Sequence, residues 1–431
     1  MSRLNLSTIG SWHIHFADGT NIPVNGVISV DNYLLSFNWE GLTINGKARE
    51  RFYITGNVDG NDITLYGCFF LNFPSRNKEG KIRFNQALVG HNLKCVAQQK
   101  FIGVAFHLSY FDLDNFLVDT KEQVKEYGMC EFISNNNGKT TLYINFDEEK
   151  TLQQSIDIMH SVRCFFTFLS CRRVNFTDQY VYIKTDASEK KEVTLLYKSY
   201  SYEIIKDFST KPFPTIRSAP LQKWATIYEK FKEQIRALFE IITHPDTGSE
   251  RGLVVCVHAI EGFFGIVAAC DRETRFTLKK FDSKEFDSLS ESIIGFIKEK
   301  HKDAGKISES FVHAIKAANN ISLKEKILQL MQKYLDVELC AYFVNPVKSN
   351  CGGIEGYAQK IVKIRNYYAH CEPKNKKQIA EILIDFELLY NYKVSVFTLL
   401  YLLIAMEYYD EKFLVLDMLN IVEFPFTVKK W

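Results

Sequence analysis

The chain is poor in the features that announce a function at first sight. Its ten cysteines include no C-x-x-C pair, which excludes a dithiol redox motif and a paired-cysteine zinc site. Their scatter is that of thiols in a reducing compartment, not of a disulfide framework. Net charge is only +2 over 431 residues, so no global field marks a polyanion binder, and any such binding must come from a local patch. No apolar run is read as a membrane span. The most hydrophobic stretch, Val394 to Met406, is about 13 residues and contains Ser395 and Thr398, short of the roughly 20 that cross a bilayer. It reads as a buried core helix, with no membrane partner implied. The opening Met1-Ser2-Arg3-Leu4-Asn5-Leu6 lacks the apolar centre of a signal peptide. Repeats and low-complexity tracts are absent. The expectation is a cytoplasmic protein.

What is present is an ordinary globular composition, 46% hydrophobic and 24% charged, with length for two or three domains. The first half alternates as half-buried strands do. Arg51 to Thr55 and Asp62 to Tyr66 flank Asn57-Val58-Asp59-Gly60-Asn61, a hairpin turn. Thr140 to Phe146, Tyr180 to Lys184 and Val193 to Tyr200 continue the pattern, while Thr151 to Leu169 has helical spacing. Prolines 212, 214 and 220 mark a linker, and beyond it the pattern is helical. Tyr228, Phe231, Ile235, Leu238 and Ile242 form one stripe. Leu253–Cys270, Ser290–His301, Ser308–Asn319, Leu323–Tyr334, Gly356–His370 and Lys377–Tyr409 are further helices. The expected fold is α+β: a β-rich, sandwich-like N-terminal domain over 1–208, a proline-containing linker over 209–220, and an all-α helical bundle over 221–431.

One short segment carries chemistry. Arg365-Asn366-Tyr367-Tyr368-Ala369-His370 pairs a planar guanidinium, suited to phosphate oxygens, with an imidazole, the side chain that titrates nearest working pH. Glu372-Pro373 should end the helix, leaving His370 in its last turn. Five residues rotate an ideal helix by roughly 140°, so the two side chains do not share a face unless the turn loosens or two copies of the helix meet; the spacing hints at a dimer. From Gln359 to Gln378 there are six basic residues, Lys360, Lys363, Arg365, Lys374, Lys376 and Lys377, against the single acid Glu372. Tyr367 and Tyr368 lie among them, suited to stacking on unpaired bases. Lys363, Lys374, Lys376 and Lys377 with the two tyrosines form the candidate RNA-binding set. Chance R-x-x-x-x-H strings, a solvated charge run and core tyrosines are the bland alternative.

Ile361 to His370, followed by a lysine-bearing loop and a long apolar helix, resembles the HEPN superfamily, whose signature is arginine, usually a polar residue, and then histidine after four to six intervening positions. Arg365, Asn366 and His370 match that pattern. The layout, with Gly10-Ser11-Trp12 opening a β-rich half, resembles ApeA-type bacterial anti-phage proteins. The resemblance implies a metal-independent endoribonuclease without cofactor, acting as a homodimer or higher oligomer on host or phage RNA, tRNA included. A phage-derived trigger would release it, and the N-terminal domain would sense or position. It also implies that His370 acts as base on a ribose 2′-OH, Arg365 stabilises phosphoryl charge and Asn366 orients the pair, giving 2′,3′-cyclic phosphate and 5′-OH ends. Glu261, a charged residue in an apolar helix, is a candidate partner for Arg365. The alternatives are a non-catalytic RNA- or nucleotide-binding sensor and a HEPN toxin held by an antitoxin.

Other constellations are weaker. His13-Ile14-His15 places two imidazoles on one strand face with Asp18 nearby, but no third ligand has convincing spacing and no H-E-x-x-H occurs; a polar strand face is the reading, and no metal site is assigned. His160, Cys164 and Cys171 read as core. Gly352, Gly353 and Gly356 lack the lysine of a phosphate loop.

Overall fold

The computed structural model describes residues 9–29, 33–38, 51–72, 79–90, 99–108, 121–134, 140–170, 174, 176–184, 189–197, 221–243, 250–270, 276–300, 305–336, 339–340, 352–370 and 373–409. The expected linker at 209–220 lies outside them. The chain divides into two compact units, Met1–Leu169 with Arg173–Thr226, and Ser170–Arg172 with Ile227–Trp431.

The first unit is β-rich. Six antiparallel strands, β1 (Ile9–His15), β2 (Asn21–Ser29), β3 (Leu34–Asn38), β4 (Phe52–Val58), β5 (Asn61–Asn72) and β6 (Glu79–Arg83), follow the order β4-β1-β2-β3-β6-β5 and close into a barrel through the β4–β5 pairing. The β4–β5 turn is the Asp59-Gly60 pair read from sequence, both at positive φ (51° and 79°), as a tight hairpin requires. Alternate residues fill the barrel: Trp12, Ile14, Leu35, Ile54, Ile63, Leu65 and Ile82 are buried there. Trp12 Nε1 donates to the Gly26 carbonyl at 3.0 Å. Gly56 sits against the same indole, where any Cβ would collide with the ring.

The sandwich-like expectation resolves into one continuous 13-stranded sheet. The first half of β5 also pairs with β7 (Gln86–Val89), and the sheet runs on through β13 (Lys190–Tyr197), β12 (Phe176–Lys184), β8 (Phe101–Leu108), β11 (Thr140–Lys150), β10 (Gly128–Ser134) and β9 (Lys121–Val124). The expected helix forms as α1 (Leu152–Ser170), its Phe166 edge-on to Phe132 of β10.

The unit boundary falls within α2 (Leu221–Lys230). Its first turn belongs with the β unit for a specific reason. The Glu122 carboxylate accepts from the Leu221 and Gln222 amides at 3.0 and 2.9 Å, satisfying donors that a helix start leaves open. Trp224 is buried between Phe165 and Phe168 and donates to the Ser161 carbonyl at 3.0 Å.

The second unit is helical: α3 (Lys232–Thr243), α4 (Glu250–Cys270), α5 (Ser283–Lys300), α6 (Gly305–Ala317), α7 (Leu323–Tyr334), α8 (Gly353–His370), α9 (Pro373–Gln378), α10 (Ala380–Ile384) and α11 (Phe386–Tyr408). Helix α4 is the hub, packing on α3, α7, α8 and α11. The single helix expected over Lys377–Tyr409 is three pieces. Asp385 breaks it by turning extended and capping α11, its carboxylate accepting from the Leu388 amide at 2.9 Å. Helices α4 and α11 are long and apolar enough to cross a membrane by length and composition, with 44% and 78% of their apolar windows buried within the fold. The 13-residue length argument for Val394 to Met406 thus gives way to one of packing, since Leu399 to Ala405 are all fully covered.

Candidate active site

Helix α8 is placed by its apolar stripe. Tyr357, Ile361 and Ile364 are fully buried at the i, i+4, i+7 spacing of one helix face. The Tyr357 hydroxyl donates to Ser395 Oγ of α11 at 2.9 Å, and Ser395 donates to the Tyr392 carbonyl at 2.8 Å. This fixes the rotation of α8 and sets Arg365, beside Ile364, at the edge of the face turned to α4. On α4, buried Val257 and Ile260 do the same for His258, which stands exposed at the matching edge.

Arg365 and His258 meet there. Arg365 Nη2 lies 2.6 Å from His258 Nε2. Its Nη1 donates to Asn366 Oδ1 at 2.9 Å and lies 3.5 Å from His370 Nε2. A guanidinium only donates, so both imidazoles accept through Nε2 and each carries its proton on Nδ1. Every hydrogen-bond partner of Arg365 is therefore neutral, and no carboxylate among the described residues compensates its charge. Its Nε–H is buried with no hydrogen-bond partner among the described residues, a costly state for a charged group's donor.

The separation of roughly 140° around the helix is thus closed inside one chain by the length of the arginine, and the pair does not itself require a second copy. His370 is exposed and ends α8, and Pro373 opens α9 at the first helical position, where proline is favoured.

The model of the Apea-like HEPN family matches residues 256–411, a span holding α4, α8 and α11 and every residue of this cluster. The chain carries an Apea-like HEPN domain. A HEPN domain points to a nuclease-type, ribonuclease function. Neither curated proteins nor solved structures give a significant match to the chain.

Within the HEPN domain, the residue missed from sequence is His258. The expected α4 partner, Glu261, is not joined to Arg365: its carboxylate accepts from Lys326 Nζ of α7 at 2.6 Å. Three residues along an α-helix add roughly 4.5 Å of rise and 300° of turn, enough to aim Glu261 at α7 while His258 faces α8. The signal was available, since His258 is the other polar side chain in the middle of an apolar helix, but sequence does not set the helix's rotation.

The RNA-binding candidates divide. Lys363 is half-buried, Lys376 and Lys377 are exposed on α9, and none of the three forms an ion pair among the described residues. The Lys374 side chain lies outside those described. Tyr367 and Tyr368 are half-buried with ring centroids 5.0 Å apart, tilted by 59°. Burial, the Glu250 carboxylate and Tyr367 push the Tyr368 phenol up to about 12, keeping it a neutral donor. Outside the HEPN domain, His15 Nε2 is engaged by Thr55 Oγ1 at 2.8 Å and its ring stacks on Tyr53. Among the described residues no three His, Cys, Asp or Glu side chains group as a metal cluster.

Proposed function

We propose that the chain is a metal-independent endoribonuclease that cuts by attack of a ribose 2′-OH on the adjacent phosphorus. The observation that carries this is Arg365: a guanidinium that no carboxylate pairs among the described residues, held by neutral acceptors on both terminal nitrogens. Such a fork suits a phosphodiester anion and the extra charge of its transition state. His370 Nε2, freed when the phosphate takes the Arg365 Nη1 hydrogens that now reach it at 3.5 Å, takes the 2′-OH proton, and Asn366 holds the guanidinium plane. The contacting groups are nitrogen donors and acceptors and one amide oxygen, which can run this chemistry as proton transfers. Products carry 2′,3′-cyclic phosphate and 5′-OH ends, and DNA, lacking the nucleophile, is inert. Lys363, Lys374, Lys376 and Lys377 track the backbone, and Tyr367 and Tyr368 meet unpaired bases.

On its resemblance to ApeA-type proteins, the reading extends to a homodimer acting in anti-phage defence, released by a phage-derived trigger. The test is an RNA-cleavage assay in EDTA comparing wild type with His370→Ala, with end groups mapped. A positioned base contributes about 10²–10⁴-fold, so the variant should lose at least about 10²-fold. Cleavage that His370→Ala leaves intact, or that EDTA abolishes, overturns the proposal.

A further inference from the structure

Attack by a 2′-OH needs two proton movements. The attacking oxygen gives up a proton as the O2′–P bond forms, and the departing 5′-oxygen gains one as the P–O5′ bond breaks. In-line geometry puts these oxygens on opposite sides of phosphorus, so one imidazole does not reach both at once. The site holds two. His370 Nε2 lies at Arg365 Nη1, and His258 Nε2 lies at Nη2, 2.6 Å away. The two imidazoles come from different helices, α8 and α4, and flank the same guanidinium. A phosphate seated on that guanidinium would have an imidazole towards each side.

We infer that His258 is a second catalytic residue, the acid that protonates the 5′-oxygen while His370 takes the 2′-proton; this rests on the ribonuclease reading above. Its hydrogen bond to Arg365, accepted at Nε2, is the state His258 has after giving up its proton. Phosphate binding takes guanidinium hydrogens for itself and brings negative charge beside the ring. That frees Nε2 to hold the proton that the departing oxygen needs. His258 is exposed, so proton exchange with water restores both rings between turnovers. No oxidant or co-reactant enters.

The test uses the full chain and two substrates: an RNA oligonucleotide that the wild type cuts, and the same oligonucleotide with sulfur replacing the 5′-bridging oxygen at the mapped site. A thiolate leaves without protonation. His258→Ala should slow cleavage of the oxygen substrate by about 10²-fold or more and recover to within about tenfold of wild type on the sulfur substrate, while His370→Ala stays slow on both. His258→Gln can still accept from Arg365 but transfers no proton, so it should match His258→Ala. If His258→Gln restores activity, or the sulfur substrate rescues nothing, His258 is not the acid and only orients Arg365. Rescue of His370→Ala instead would reverse the two roles and overturn the assignment. A wild type that cuts no RNA from which such a substrate could be chosen, or His370→Ala as active as wild type, would remove the ribonuclease reading itself.

Discussion

At the scale of single residues, the site is a matter of which neutral groups surround one charge. Arg365 touches an amide and two imidazoles, while the acid that sequence offered it, Glu261, is spent on Lys326. A carboxylate bound to Arg365 would compete directly with a substrate phosphate, so the proposed reaction needs Glu261 turned away, as it is. Glu261→Gln should therefore leave RNA cleavage within about twofold of wild type. Its cost in a urea melt should be about 0–1 kcal/mol, the range of a half-exposed ion pair. A loss of cleavage comparable to that of His370→Ala would mean that Glu261 does reach the site. The order and spacing of Arg365, Asn366 and His370 mark them as a group, and the structure brings them within hydrogen-bond reach. His258 was not legible in sequence, because a lone polar residue in an apolar helix is equally a solvent-facing position until its neighbour helix is known.

At the scale of elements, the site is held where α8 lies against α4, and the head of α4 is set electrostatically. Glu250 opens this helix and pairs with Lys393 of α11 at 3.4 Å. A backbone hydrogen bond at the head of the helix and the Lys393 ammonium hold its carboxyl below the usual value, against partial burial. A depressed carboxylate contributes stability above its unfolded pKa and loses it as pH falls through the folded one. Glu250→Gln should thus destabilise the domain at pH 7 by about 0.3–1 kcal/mol, the size of an exposed helix-dipole interaction. The difference from wild type should shrink below the ordinary value of 4.5; thermal melts at pH 7 and pH 4 check this, and a gap that widens in acid would contradict it. Elements were largely legible from sequence. Leu323–Tyr334 forms over the range expected, and the structure shows its start fixed by a capping box of Ser322 and Glu325. The break at Asp385 was missed because an aspartate can cap a helix or merely face water within one.

At the scale of the whole molecule, a net charge of only +2 means that the proposed RNA substrate would be held through local lysines. Each phosphate contact on a single strand contributes about 0.7 to the slope of log affinity against log salt. Exchanging Lys376 and Lys377 together for alanine should lower that slope by about 1.4 in a filter-binding series with His370→Ala protein and single-stranded RNA. An unchanged slope would place the backbone contacts elsewhere. The alternating strands, the helical stripes and the arginine–histidine spacing were written in the sequence because each is a local pattern, fixed by backbone periodicity and by the chemistry of a few adjacent side chains. The closing of six strands into a barrel, the capture of the first turn of α2 by Glu122 and Trp224, and the choice of His258 over Glu261 were decided only by tertiary structure. Each depends on residues distant in the chain meeting at one rotation and one register, and packing, not local sequence, sets both.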